Sequence, residues 1–208
     1  MRILITAGPT REYFDTVRFI SNPSSGKMGY AIAREAARRG HEVTLVSGPV
    51  AIKPPPGVKV IPVTTAAEMA RACKREYKST DAAVMAAAVC DYRPAEPAAR
   101  KVPKTGRAVR IRLEPTEDIA AALGRRKGRR LLVGFALEDH DHYVHAERKL
   151  SRKHCDLIVL NGPENVGTKL ATVEFYTPAV GWSGPVRGSK TVVARRLVRM
   201  IESLWASR

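Results

Sequence analysis

The amino-acid sequence predicts an α/β fold: a Rossmann-like, mostly parallel sheet with helices on both faces and a small antiparallel extension near the C-terminus. Short apolar runs alternate with helical stretches of about 10–15 residues, which is the pattern of βαβ units. The strand runs are apolar throughout, as strands buried on both faces require. With 208 residues, 44% apolar and 27% charged, the chain can bury a core of its own, and we expect a single domain over 1–208.

The first half of the chain contains three such units in sequence. An apolar run forms the first strand, and a segment of small residues then opens the first helix. A proline-rich loop at 54–56 separates the next two strands. Strands are therefore predicted over 2–7, 42–47, 58–63 and 81–89, and helices over 26–39 and 66–78.

The second half continues the alternation after a 16-residue segment, 91–106, that shows no apolar periodicity and is long enough to be functional. Thr116 is expected to cap the next helix, and the last helix carries Val193, Leu197, Ile201 and Leu204 on one stripe. An antiparallel pair is expected from 171–177 and a stretch ending near Arg187. Strands are predicted over 108–113, 131–136 and 156–160, and helices over 117–126, 139–153 and 189–205.

The composition excludes several classes of protein. Lys and Arg number 36 against 20 Asp and Glu, a net charge of +16, which raises the alternative of a nucleic-acid-binding module. Aromatic residues are only 6%, and no zinc-finger spacing or isolated basic tail is present, so a small polyphosphate ligand explains the charge equally well. Cys73, Cys90 and Cys155 are scattered and predict reduced thiols. No apolar run approaches a membrane span, so we expect a cytoplasmic protein without a membrane or nucleic-acid partner.

The loops around the first strand and helix predict a phosphate site. Small residues ahead of a helix leave backbone N–H groups and the positive end of the helix dipole for an anion. The segment is not a P-loop, and Gly26 with Gly29 supplies only half of a dinucleotide fingerprint. The second strand ends without the acidic residue that would bind an NAD ribose. An NADP-linked oxidoreductase stays open, as does the alternative that these glycines only allow close packing.

Six segments are specific enough to resemble a known family, and they occur in order along residues 6–161. They are TAGPTRE at 6–12, VRFISN at 17–22, SSGKMG at 24–29, AAVCDYRP at 87–94, VGFALE at 133–138 and DLIVLN at 156–161. The chain resembles the phosphopantothenate-cysteine ligases of coenzyme A biosynthesis. The resemblance implies activation of the 4'-phosphopantothenate carboxylate by CTP, or alternatively ATP, with loss of pyrophosphate. L-Cysteine then displaces CMP. It also implies Mg²⁺ carried by the triphosphate, a homodimer, and a separate phosphopantothenoylcysteine decarboxylase.

The resemblance also implies residue roles. Phosphates would be held by Gly8, Ser24, Gly26 and Gly29, and by Lys149 and Lys153. Asn22 would bind substrate and act in the second half-reaction by donating to the acyl-phosphate carbonyl as it becomes an oxyanion. Ala87 and Ala88 would contact pantothenate, Asp91 the ribose, and Phe135 the nucleotide near its base. Taken without the resemblance, Asn22 is a turn former, Phe135 a core residue and the two lysines a solvated helix face.

The chain departs from the family pattern at three places. The resemblance implies a lysine-rich loop that closes over the triphosphate. In this chain the loop keeps Lys101, to which the resemblance gives a catalytic role, and the nucleotide-binding Lys104, but it has Pro103 between them. In the base-binding turn, Glu117 precedes Asp118 and Ile119 in place of proline, and Gly162 follows Asn161 in place of aspartate, which leaves the choice between CTP and ATP open. The acidic and histidine residues over 138–145 are interpreted as a solvated helix start rather than a metal site.

Overall fold

The computed structural model describes residues 1–138, 140–162, 165, 168 and 170–208. Its strands are β1 (Arg2–Ala7), β2 (Arg11–Tyr13), β3 (Phe19–Ser21), β4 (Glu42–Ser47), β5 (Val58–Pro62), β6 (Ala82–Met85), β7 (Tyr92–Pro94), β8 (Leu113–Pro115), β9 (Leu131–Leu137), β10 (Leu157–Asn161), β11 (Leu170–Thr177), β12 (Gly181–Trp182) and β13 (Val186–Ser189). Its helices are α1 (Lys27–Arg38), α2 (Ala66–Tyr77), α3 (Ile119–Gly124), α4 (His142–Arg152) and α5 (Lys190–Ala206).

The main sheet confirms the predicted fold class. Its strands follow the order β12-β11-β10-β9-β6-β1-β4-β5, with β13 also pairing with β11. The six strands from β10 to β5 are parallel, whereas β11 pairs antiparallel with β10, β12 and β13. The chain runs outward from β1 through β4 to β5 and then crosses back to β6 on the other side of β1. This reversal creates a topological switch point between β1 and β6.

Two buried apolar layers cover the sheet. Side chains alternate across it, so Ile3 and Ile5 of β1 face α1 and α5, while Leu4 faces the opposite layer. That opposite layer is built from α2, α3 and α4. Within the described part of the chain, no helix combines the length and the apolarity needed to cross a bilayer.

Two short antiparallel hairpins, β2–β3 and β7–β8, lie outside the main sheet. The strand predicted over 108–113 is wrong: only Leu113–Pro115 pairs, and it pairs with β7. The alternation of apolar residues with arginine in this segment indicated a half-buried strand, but Val109 and Ile111 are 63% and 39% exposed because no sheet covers them. The strand predicted over 81–89 ends at Met85, where the chain turns to bond with the loop after β1.

Helix starts differ from the prediction at two places. Thr116 does not cap α3; its hydroxyl donates to the Cys90 carbonyl at 2.6 Å. The cap is Asp118, whose carboxylate accepts from the Ala121 N–H at 3.0 Å. Helix α4 begins at His142 rather than at 139, because Asp141 adopts a left-handed conformation with φ 44° and its side chain makes no capping bond. Asp139, part of the predicted helix start, lies outside the described residues.

Candidate active site

A cleft of about 500 Å³ lies over the carboxyl ends of β1, β6 and β9, at the switch point. Open parallel sheets bind their ligands at this place. Twelve of the predicted site residues line it: Asn22, Ser24, Gly26, Gly29, Ala87, Ala88, Asp91, Asp118, Ile119, Phe135, Lys149 and Lys153. A second cleft of about 360 Å³, beside α2 and α3, contains none of them.

The first wall of the cleft is the glycine-containing loop that opens α1. Gly26 is the residue before the helix and has φ 73°, a conformation that costs glycine little. The backbone N–H groups of the first turn, which have no partner inside the helix, are therefore available at the cleft. Gly29 lets α1 approach β1, because a Cβ there would lie 2.5 Å from the Ala7 Cβ and 2.9 Å from the Thr6 carbonyl oxygen.

The second wall is the segment that follows β6. The Ala87 N–H donates to Thr6 Oγ1 at 3.1 Å and the Ala88 N–H to the Gly8 carbonyl at 2.9 Å. Because these bonds tie the segment to the loop after β1, Ala87 and Ala88 hold their backbone at a fixed position in the cleft.

Asn22 bridges the two walls. Its Nδ2 donates to the carbonyls of Ala88 at 3.3 Å and Val89 at 3.1 Å. The amide nitrogen of Asn22 thus already has two carbonyl acceptors. The predicted donation to an oxyanion consequently requires one of these hydrogen bonds to be exchanged for one to the ligand.

Lys149 and Lys153 line the third wall from α4, and each faces a carboxylate. Lys149 Nζ lies 3.5 Å from Glu138, and Lys153 Nζ lies 3.1 Å from Asp118. Burial lowers the pKa of Lys149, and the charge of Lys153 lowers it further. Burial opposes ionisation of Asp118, but the Ala121 N–H and Lys153 outweigh it, so the pKa of Asp118 is lowered. Each lysine is thus held at the cleft by an ion pair with a carboxylate.

The cleft also has an apolar side. Phe135 is half-buried, packs against the layer of α1 and α5, and lines the cleft. Ile119 is only 3% exposed and belongs to the opposite layer. Asn161 lies at the end of β10, and its Oδ1 is a buried acceptor that finds no hydrogen-bond partner among the described residues. These residues suit a ligand with a flat apolar part and a nearby hydrogen-bond donor.

Three predicted residues do not line the cleft. Gly8 packs behind Gly26, since a Cβ on Gly26 would lie 3.3 Å from the Gly8 nitrogen. Lys101 and Lys104 are exposed in the loop between β7 and β8. That loop is attached elsewhere, because the Val102 N–H donates to Asp15 Oδ2 at 3.2 Å and the Arg18 guanidinium donates to the Val102 carbonyl. Their roles stay predictions.

Sequence reasoning missed two cations of the cleft, Lys27 and Lys190. They are the first residues of α1 and α5. A lysine at the positive end of a helix dipole is unfavourable unless an anion is nearby, and this is the signal that could have identified both. The acidic and histidine cluster brings ligand atoms of His140, Asp141 and His145 within 4.8 Å of one another, outside the cleft lining.

Residues 1–204 match the family described as the DNA/pantothenate metabolism flavoprotein C-terminal domain. Among curated proteins, the chain is 47% identical over 165 residues to the coenzyme A biosynthesis bifunctional protein CoaBC of Escherichia coli K12, covering 77% of this chain and 41% of that protein. It is 49% identical over 168 residues to a cysteine/cysteine sulfinic acid decarboxylase from an unknown prokaryotic organism, covering 80% and 47%. The chain thus spans about half the length of the curated relatives it matches.

Solved structures agree with these matches. The crystal structure of the C-terminal domain of CoaBC has a TM-score of 0.85 and 39% identity, and the alignment covers 100% of this chain and 96% of that one. Cab2 H337A in complex with phosphopantothenate-cysteine has a TM-score of 0.82 at 18% identity, covering 99% of this chain and 88% of that one, and shows the shared fold.

Proposed function

The chain belongs to the family of the DNA/pantothenate metabolism flavoprotein C-terminal domain, and from this membership we propose that it is a phosphopantothenate-cysteine ligase. This family is the one that the sequence segments predicted. The observation that carries the proposal is the cleft at the switch point, which brings the glycine loop of α1 and four lysines to one place. A small molecule with several phosphates suits such a cleft better than a polymer does, because the cations converge instead of forming a stripe.

The proposed first step is attack by the carboxylate of 4'-phosphopantothenate on the α-phosphorus of a nucleoside triphosphate. A P–O bond to the carboxylate forms, the bond to the β-phosphate oxygen breaks, and pyrophosphate leaves. Both reactants are anions, so lysines and helix N-termini are needed to screen their repulsion and neutralise the leaving group. Lys149 and Lys153 are suited to this role because their carboxylate partners hold them at the cleft.

In the proposed second step the amine nitrogen of L-cysteine attacks the acyl carbon. A C–N bond forms, the C–O bond to the nucleoside monophosphate breaks, and the amine loses a proton. Asn22 is our proposed donor to the developing oxyanion, since it lies beside the Ala87–Ala88 backbone that we assign to pantothenate. Donors of this type contribute about 3 kcal/mol to transition-state stabilisation.

We propose CTP as the nucleotide, with Mg²⁺ brought by its triphosphate, and ATP as the alternative. Of the three carboxylates that line the cleft, Glu117 pairs with Lys74 at 2.6 Å and Asp118 with Lys153 at 3.1 Å. Asp91 forms no ion pair within the described part of the chain, so its carboxylate is available to the ribose, as the resemblance implies, and to a Mg²⁺ ion carried by the triphosphate. One carboxylate together with phosphate oxygens is the environment that Mg²⁺ prefers. The ion would neutralise charge on the phosphates.

The ligase proposal is tested by following pyrophosphate release and product mass with 4'-phosphopantothenate, L-cysteine and either CTP or ATP. We expect release to require phosphopantothenate and the coupled product to require cysteine. Lys153→Gln should raise the KM for the nucleotide about tenfold, the size of one charge-assisted hydrogen bond. Arg148→Gln, an equal charge change on the exposed face of α4, is the control. Absence of release with both nucleotides would reject the proposal.

We also propose that the protein is a homodimer. Large apolar side chains are exposed on the two hairpins and on the segment leading into β8: Val17, Phe19, Tyr92, Val109, Ile111 and Leu113. Exposed apolar patches of this kind mark protein interfaces. Light scattering should report a dimer that Leu113→Lys dissociates, whereas Val180→Lys, at an apolar position 83% exposed elsewhere, should leave it intact. A monomeric wild type would contradict the proposal.

A further inference from the structure

Lys27 and Lys190 are brought together by the packing of α1 against α5. Both helices lie on the same face of the sheet and share one apolar layer. Lys27 is the first residue of α1, Lys190 is the first residue of α5, and both line the cleft. Two lysines at the positive ends of two helices therefore line the cleft from one face of the sheet, whereas Lys149 and Lys153 reach it from α4 on the other face.

No carboxylate among the described residues neutralises the charge of Lys27 or Lys190, whereas Lys149 and Lys153 each have a carboxylate partner. Lys149 and Lys153 face Glu138 and Asp118. Within the described residues, neither Lys27 nor Lys190 forms an ion pair. The Lys190 ammonium donates to the Asn165 carbonyl at 3.2 Å, which leaves its full charge in place. Burial lowers the pKa of Lys190, and the charge of Lys27 lowers it further.

We propose that Lys190, together with Lys27, binds the two phosphates that leave as pyrophosphate. Uncompensated positive charge at a half-buried position costs folding free energy, so an anionic ligand is the physical reason for it. A pyrophosphate group carries several negative charges and matches two ammonium groups and two helix ends. The identity of this anion rests on the proposed function, but the anion site itself does not.

The proposal has a consequence for the ligand-free protein. A lysine whose pKa is lower folded than unfolded destabilises the fold while it is charged, and this cost disappears only as the pH rises toward the unfolded value. Lys190→Gln removes the charge. We therefore expect the variant to unfold at the same temperature as the wild type or at a higher one, although it binds the anion less well.

The test is calorimetric titration of the full chain with inorganic pyrophosphate, without nucleotide or pantothenate. Lys190→Gln should raise the dissociation constant about tenfold, Lys27→Gln should do the same, and Lys190→Arg should stay close to wild type. Arg196→Gln, an equal charge change on the exposed face of α5, is the matched control. Added salt should weaken binding less in Lys190→Gln than in the wild type, because one ionic contact is lost.

Equal pyrophosphate binding by Lys190→Gln and Arg196→Gln would overturn the proposal. A parallel titration with 4'-phosphopantothenate gives the second outcome that would overturn it: if Lys190→Gln weakens only phosphopantothenate binding, the subsite belongs to the phosphate of that substrate. The titration needs no turnover. Pyrophosphate binding that depends on Lys190 in a protein without ligase activity would reject the proposed function and leave the anion site standing.

Discussion

Gly29 is the point of closest approach between α1 and β1, and Gly29→Ala tests whether this approach sets the geometry of the cleft. The added Cβ would lie 2.5 Å from the Ala7 Cβ, whereas ordinary contact begins at 3.4 Å, so the helix has to move by about 0.9 Å. Overpacking of this kind costs about 1–3 kcal/mol, and the better helix propensity of alanine returns up to about 1 kcal/mol. The free energy of unfolding should therefore fall by about 0–3 kcal/mol.

Activity should respond more strongly than stability to Gly29→Ala. Helix α1 carries Gly26 and Lys27 into the cleft, and a displacement of about 1 Å at a reacting group lowers kcat/KM by about ten- to a hundredfold. Urea unfolding and ligase kinetics measure the two effects.

Ala7→Gly provides the matched compensation for Gly29→Ala, because it removes the methyl group that the new Cβ would strike. The double variant should recover about 1 kcal/mol relative to the sum of the single changes. Recovery is incomplete because the Thr6 carbonyl oxygen stays 2.9 Å from the new Cβ. A Gly29→Ala protein with unchanged kcat/KM and about 1 kcal/mol more stability, as at an unconstrained helical glycine, would show that Gly29 does not set the geometry of the cleft.

Two further predictions concern charge. Lys149→Met should stabilise the ligand-free protein in urea, because burial lowers the pKa of Lys149 and its charged form opposes folding below that pKa. The KM for the nucleotide should rise about tenfold. A variant that unfolds at a lower urea concentration than the wild type would contradict the stability prediction. Asp15 has a pKa of about 2, since backbone N–H groups of Arg18, Val17 and Val102 outweigh the effect of burial. Its stabilisation is complete above the unfolded pKa and lost as pH falls toward 2, so Asp15→Asn should lower the melting temperature at pH 7 and flatten its acid dependence. If the melting temperature of Asp15→Asn fell at acid pH as steeply as that of the wild type, this prediction would be contradicted.

The fold was predictable where strands are continuous apolar runs buried on both faces, as in β9 and β10. Prediction failed where tertiary contacts determine whether a segment forms a strand. The alternation over 108–113 resembles a half-buried strand, but no sheet is present to cover it. The three-residue strands β2 and β3 are too short to show a hydrophobic periodicity in the sequence. Their position depends on hydrogen bonds such as that from the Arg11 N–H to the Thr64 carbonyl at 2.8 Å.

The candidate site shows the same division. The glycine loop was predicted from local sequence, because its small residues stand directly ahead of a helix, whereas Lys149 and Lys153 were predicted only through the family resemblance. Lys190 was not, since its place in the cleft follows from the packing of α5 against α1 rather than from neighbouring residues. Asn22 lines the cleft and its predicted role stays a prediction, but its two bonds to the carbonyls of Ala88 and Val89 could be known only from the structure.

In the proposed mechanism the cleft activates the carboxylate of 4'-phosphopantothenate with a nucleoside triphosphate before cysteine takes part. Exchange of labelled pyrophosphate into CTP or ATP in the absence of cysteine tests it most directly. We expect exchange in the presence of 4'-phosphopantothenate and none when phosphopantothenate is omitted. Absence of exchange with both nucleotides, in a protein that still forms the coupled product when cysteine is added, would contradict an acyl-nucleotide intermediate.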